Sequence, residues 1–205
     1  MEAYLILGAG GLGRELYHWL RDAGLTCVGF IDDNPNALDA YQGYAPVVGN
    51  TESCPIELPI LCGIGQNAIR QRCVARLTAR GATFASFIHP QAKVLPCQLG
   101  QGAVVAPFAY IGADAVVGDF LFLQTGAVIG HDVRTGDFLR MDTTAFLGGF
   151  ATVGHGVTLH TGAKVMPGKK VGDNCTIGAG SDYINFTIFF HDNLLYIFSK
   201  INQFQ

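Results

Sequence analysis

Cut every six residues, residues 99–182 read LGQGAV VAPFAY IGADAV VGDFLF LQTGAV IGHDVR TGDFLR MDTTAF LGGFAT VGHGVT LHTGAK VMPGKK VGDNCT IGAGSD. Fourteen cells keep one phase. The first position runs from Leu99, Val105 and Ile111 through to Val171 and Ile177, and only Thr135 is neither aliphatic nor Met. Gly occupies the second position in nine cells, among them Gly100, Gly118 and Gly130, and the fifth position is often Ala. A strict short period is the mark of a solenoid, in which each repeat buries its apolar residue against its neighbours. Six residues suit one short strand and a corner, with glycine expected to relieve the backbone of the corner. A helical solenoid needs a unit of roughly 30–45 residues. An antiparallel sheet shows period two, with turn signals about every 8–12 residues.

Before Leu99 the segment Ile88–Gln98 is one residue short of two cells, so a slip is expected on the approach to the solenoid. Upstream the pattern changes. Residues 3–8, AYLILG, read as a buried parallel strand. The loop Gly8-Ala9-Gly10-Gly11-Leu12-Gly13 follows, then a helix through Arg14–Leu20 with Gly24 near its end. A second strand, Cys27–Ile31, ends in Asp32-Asp33. Pro59–Cys62 leads through Gly63-Ile64-Gly65 to a helix over Asn67–Arg80, and Thr83–Ile88 reads as a last strand. Alternating strand and helix predicts a small parallel α/β unit. The expected division is therefore 1–88 for a Rossmann-like unit, 89–181 for the solenoid and 182–205 for an atypical tail.

Gly8-x-Gly10-x-x-Gly13 matches the dinucleotide fingerprint, and Asp32 follows at about the right distance. Such glycines let a backbone approach phosphate, and the helix start offers free N–H groups to an anion. Asp32 or Asp33 is placed to accept bonds from a ribose or a base. A unit of 88 residues is short for a whole NAD site, which favours a nucleotide or nucleotide sugar. No second catalytic domain of the usual kind follows the loop, which disfavours an NAD dehydrogenase.

Composition sets outer bounds. The chain has 205 residues, 49% hydrophobic, with net charge -3 and pI near 6.0, so nothing supports nucleic-acid binding. Six cysteines are scattered without CxxC pairing, and MEAYLILGAGG passes straight into a strand rather than a leader. A reduced, cytoplasmic protein off the membrane is the expectation.

These pieces together resemble a family: the bacterial sialic-acid O-acetyltransferases and the N-acetyltransferases of UDP- or dTDP-linked 4-amino-dideoxy sugars. The resemblance spans roughly residues 3–181 and rests on LGAGGLGRE, FIDD, GIGQNAIR, FIHPQA, Val128-Ile129-Gly130-His131-Asp132 and VGDNCTIGAGS. It implies a left-handed parallel β-helix, a homotrimer, and acetyl-CoA between adjacent prisms. It implies His131 as catalytic base, with the adjacent Asp132 raising its basicity. It places acetyl-CoA at Arg140, Gly149, Thr161 and Ala179, although Arg140 stands where the family commonly has His. The acceptor falls to Gly10, Gly11, Leu12, Asp32, Asp33, Gly65 and Gln124, the last where relatives often carry Asn. The implied activity is acetyl transfer to a nucleotide-linked 4-amino sugar in bacterial surface-glycan synthesis. O-acetylation of a sialic acid is the alternative.

Acyl transfer from a thioester needs a base for the nucleophile's proton and donors for the oxyanion, and a neutral imidazole serves as base near pH 7. Of the other histidines, His89 reads as a junction residue and His18 as surface or packing. His155 and His160 have a spacing seen in metal-binding hexapeptide proteins, but no His stands near Asp119 to complete the set, so no metal is expected. Lys164, Lys169 and Lys170 suit CoA phosphates or a plain basic edge. After Ser181 the family pattern stops, and the Phe- and Ile-rich ending suggests a replaced segment, leaving a catalytically impaired binding solenoid as a third reading.

Overall fold

A computed structural model describes residues 3–183. The N-terminal unit is a four-stranded parallel sheet. Its strands are β1 (Ala3–Leu7), β2 (Thr26–Ile31), β3 (Val47–Gly49) and β4 (Ile60–Cys62), in the order β3-β2-β1-β4. Helices α1 (Gly11–Asp22) and α2 (Asn67–Ala79) follow β1 and β4. The edge strand β3 has no counterpart in the sequence reading, because its three half-buried residues carry little periodic signal. The expected last strand divides. Phe84 makes a single bridge to Ile60, whereas Phe87–Ile88 leaves the sheet and pairs with Val104–Val105 of the solenoid.

From Phe87 onward the chain winds a left-handed parallel β-helix with three faces, against the right-handed rule for ordinary crossovers. Face A stacks Phe87–Ile88, Val104–Val105, Phe122–Leu123, Arg140–Met141, Thr158–Leu159 and Thr176–Ile177. Face B stacks Lys93–Val94, Tyr110–Ile111, Val128–Ile129, Phe146–Leu147, Lys164–Val165 and Asp182–Tyr183. Face C runs from Gln98–Leu99 to Lys170–Val171. Partners lie 18 residues apart, as with Val128 and Phe146, except that Phe87 and Lys93 meet Val104 and Tyr110 after 17. That missing residue is the slip expected before Leu99. Asp182 and Tyr183 belong to the ladder, and the remainder of the expected tail, 184–205, lies outside the described residues.

The prism interior is filled by the first and fifth positions of each cell, from Val105, Ala109 and Ile111 to Ala163 and Val165, all buried except the half-buried Thr135. Thr135 is tolerated because its hydroxyl donates to the Gly136 carbonyl and accepts from the Gly118 N–H. The second-position glycines do different work from that expected of them. The left-handed corner residue is the fourth of each cell, occupied by Gly102 and Gly126 but also by Phe120, Asp132, Phe138 and Phe150 at φ from 57 to 61, 56 for Phe138. The second-position glycines are required by contact between coils. A Cβ on Gly118 would stand 2.6 Å from the Gly136 carbonyl carbon, and one on Gly130 would stand 2.7 Å from the Gly149 nitrogen.

The α/β unit sits on face A. Val104 and Phe122, each 1% exposed, point outward from that face into the same core as Leu16, Trp19 and Phe30. Helix α2 adds polar ties. Arg70 Nη2 donates to the Phe138 carbonyl at 2.7 Å, and Asn67 Nδ2 donates to the Gly156 carbonyl at 2.8 Å. Burial lowers the Arg70 guanidinium to about 10, which still leaves it charged at neutral pH. Among the described residues no helix is long and apolar enough to cross a membrane.

The coil-contact role of glycine is testable. Gly118→Val should destabilise the protein by about 1–3 kcal/mol through overpacking, read as a fall of about 2–4 °C in melting midpoint per kcal/mol. Gly178→Ala, where a Cβ meets nothing closer than Ser181 Oγ at 3.4 Å, should leave the midpoint near wild type.

Candidate active site

The N-terminal loop forms a pocket of about 800 Å³ at the carboxyl ends of β1, β2 and β4. Gly10, Gly11, Leu12, Asp32, Asp33 and Gly65 all line it. The glycines are sterically necessary where the two loops meet. A Cβ on Gly13 would overlap the Gly8 carbonyl, and one on Gly63 would stand 2.7 Å from Gly13 Cα. Both helices begin here without a side-chain cap or an acidic first turn, so their leading N–H groups are available to an anion.

The two aspartates already have structural bonds. Asp32 accepts from the Ala9 N–H at 2.8 Å and the Asn34 N–H at 2.9 Å, and Asp33 accepts from the Thr51 N–H and hydroxyl. Asp32 braces the glycine loop and keeps a lone pair on each oxygen, while Asp33 spends Oδ1 on Thr51 and keeps Oδ2 as an acceptor. Arg14 donates to the Ala9 carbonyl and lies 3.7 Å over the Tyr41 ring. His18, read from sequence as surface or packing, lines the pocket and bonds Tyr44 Oη at 3.1 Å. Tyr44 and Thr51, which belong to no local motif, also line it and were missed, as does Glu15, which ends the LGAGGLGRE stretch but was not singled out there.

Gln124 is 8% exposed and donates to Glu15 Oε2 at 2.9 Å, tying face A to α1. Arg140 lies nearby on the same face. Its Nη1 donates to the Gly65 carbonyl at 2.8 Å and its Nε to Asp142 at 2.7 Å. Thr161 and Ala179 are exposed at the corner between faces A and B.

His131 and Asp132 stand at a different corner, between faces B and C. His131 Nδ1 lies 2.8 Å from the Asp132 carboxylate; in the neutral ring, donation to that carboxylate puts the proton on Nδ1 and leaves Nε2 as the acceptor. The ring stacks over Gly149, where a Cβ would come within 2.6 Å of Nε2, and meets Phe150 edge-on at 5.0 Å. The structure thus brings together His131, Asp132 and Gly149. It separates them within one chain from the face A group and from the loop pocket. His89 is buried at the junction, and His155 faces Asp137 at 3.8 Å. Burial pushes the Cys27 thiol up to about 11 and raises Cys62 and Cys73, which leaves no thiolate nucleophile among these three.

Comparison with known proteins fits this layout. The family model for the PglD N-terminal domain matches residues 4–77. PerB from Caulobacter crescentus, solved with CoA and GDP-perosamine, is 32% identical over 90% of this chain and 89% of its own, with a TM-score of 0.82. The chain belongs to the hexapeptide-repeat acyltransferases. The acetyltransferase domain of PglB from Neisseria gonorrhoeae is 29% identical over 90% of this chain and 92% of its own, with a TM-score of 0.79. That domain was also solved with acetyl coenzyme A, at 25% identity over 86% of this chain and 95% of its own, with a TM-score of 0.67. A search of curated proteins finds no significant match. By family the protein is an acetyltransferase, with the glycine-loop unit and the solenoid both inside the matched span.

The glycine beneath the imidazole gives a one-methyl test. Gly149→Ala should displace the His131 ring and lower kcat by about 100-fold, the cost of roughly an ångström of misplacement. Affinity for a sugar nucleotide should not change, because the pocket is on another element.

Proposed function

We propose that this acyltransferase transfers acetyl from acetyl-CoA to the amine of a nucleotide-linked 4-amino-dideoxy sugar, in cytoplasmic synthesis of a surface glycan. The observation that carries the reading is one chain holding both a glycine-loop pocket at two helix N-termini and an exposed His–Asp pair. The likeness to PerB across both parts supports it. The diphosphate lies against the N-termini of α1 and α2, and Asp32 and Asp33 offer acceptors to the ribose or base. A free sialic acid has no diphosphate for this pocket, so O-acetylation is the weaker reading. The impaired-solenoid reading turns on 184–205, outside the described residues.

In the proposed reaction the neutral 4-amine attacks the thioester carbonyl carbon. An N–C bond forms, and His131 Nε2 takes the amine proton while Asp132 stabilises the imidazolium. The tetrahedral intermediate collapses, the C–S bond breaks, and the imidazolium returns its proton to the departing CoA sulfur. Arg140, Gly149, Thr161 and Ala179 are the proposed acetyl-CoA positions.

Because His131 and the pocket stand at different corners of one prism, we place the complete site between protomers. The exposed Phe108 and Phe150, 63% and 62% accessible, are suited to contact another copy, and a homotrimer meets the requirement.

His131→Ala should lower CoA thiol release by about 10²–10⁴-fold while sparing sugar-nucleotide affinity. Near-normal turnover in the folded variant would remove His131 from the role of base. Co-folding His131→Ala chains with Gly11→Val chains should regain part of the activity, since some interfaces then pair an intact pocket with an intact base. No recovery in verified mixed oligomers would place both halves of the site within one chain.

A further inference from the structure

At the corner leading from face A to face B, one residue per coil occupies the same place: Ala106, Gln124, Asp142, His160 and Gly178. Gln124 is committed to Glu15 and to the Thr125 N–H. Asp142 lies at the centre of the column with its side chain 15% exposed. Its Oδ1 accepts from Arg140 Nε at 2.7 Å, and its Oδ2 accepts from His160 Nδ1 at 2.9 Å. This second imidazole–carboxylate pair is better shielded than the first, whose Asp132 side chain is 41% exposed.

Each arm of the carboxylate leads somewhere. Arg140 passes its contact to the Gly65 carbonyl, in the wall of the pocket. The approach is close enough that a Cβ on Gly65 would come within 3.0 Å of Arg140 Nη1 and 2.6 Å of Leu12 Cδ1. The other arm fixes a tautomer. In the neutral ring, donation from Nδ1 to Asp142 leaves Nε2 as an acceptor, and Nε2 makes no hydrogen bond among the described residues. Its side chain is 42% exposed.

We propose that Asp142 is a positioning residue of the acceptor site. Through Arg140 it fixes the Gly65 wall of the pocket. Through His160 it presents an imidazole acceptor to the hydroxyl or amine donors at the sugar end of the nucleotide-linked amino sugar. This rests on the sugar-nucleotide reading above. An ion pair that only stabilised the coil would affect all ligands alike, and the two-armed arrangement does not.

The test compares two classes of ligand by calorimetry on the full chain. UDP and GDP report the pocket wall, and UDP-, dTDP- and GDP-linked 4-amino-4,6-dideoxy sugars report wall and sugar end together. His160→Gln, a partly exposed change, should weaken the sugar nucleotide by about tenfold and leave the nucleoside diphosphate unchanged. Arg140→Gln should weaken both by one common factor. Asp142→Asn should do both, weakening the nucleoside diphosphate and the sugar nucleotide further still. If Asp142→Asn does not fold, the first two variants carry the test. Wild-type affinity of His160→Gln for the sugar nucleotide, or of Asp142→Asn or Arg140→Gln for the nucleoside diphosphate, overturns the proposal. A wild-type protein that binds none of the sugar nucleotides fails at the underlying reading, and the proposal falls with it.

Discussion

Parallel pairing of each residue with the one 18 positions on is the constraint from which the rest of the molecule follows. It turns the sequence into columns. A column facing inward must be apolar and small enough to close the prism, which gives the buried series through Ala109, Ala127, Ala145 and Ala163. At the two other corners the second-position columns, Gly100 to Gly154 and Gly112 to Gly148, meet the next coil's backbone and are driven to glycine, whereas the column from Ala106 to Gly178 at the A-to-B corner is free to carry side chains. A column at the fourth position bends left-handed because its N–H must reach the preceding coil, as Phe120 reaches Gln101 and Phe150 reaches His131. That the corner holds phenylalanine at four places shows how firmly ladder bonding outweighs the usual avoidance of positive φ.

The α/β unit depends on the same regularity. A flat parallel face offers a docking surface only where its outward residues are apolar, and face A meets that need at Val104 and Phe122 before turning polar at Arg140 and Thr158. The contact therefore divides into an apolar half under α1 and a polar half under the start of α2. The polar half holds Arg70, Asn67 and Arg140, whose bonds run to backbone carbonyls at the seam. Arg70 and Asn67 bond carbonyls of the coil, Asn67 reaching the Thr158 hydroxyl as well, and Arg140 returns a bond from the coil to the Gly65 carbonyl.

Chemistry follows the columns too. His131 faces outward at the third position of its cell, and Gly149 directly above it in the stack makes room for the ring. Loop pocket, face A corner and His131 corner are three separate places on one chain. PerB and the PglB acetyltransferase domain are similar in overall structure over nine-tenths of this chain.

The six-residue period by itself determined the solenoid, its starting phase and its slip, because every cell repeats the same burial requirement in local sequence. The Gly8–Gly13 loop was equally legible, since a tight strand-to-helix turn packed against a second loop restricts residue type at fixed spacing. The role of the second-position glycines was misread, because contact between coils and corner strain both select glycine. Phe87–Ile88 was assigned to the wrong sheet, since strand propensity does not say which neighbour a strand will find. Only the tertiary structure joined Glu15 to Gln124, 109 residues away, and Arg140 to Gly65, 75 residues away. Such pairs form where two independently determined units dock, and docking leaves no periodic trace in either sequence. Asp142 is the sharpest case: an unremarkable residue in its cell, it becomes the shared anchor of an arginine two residues before it and a histidine one coil on in its own column.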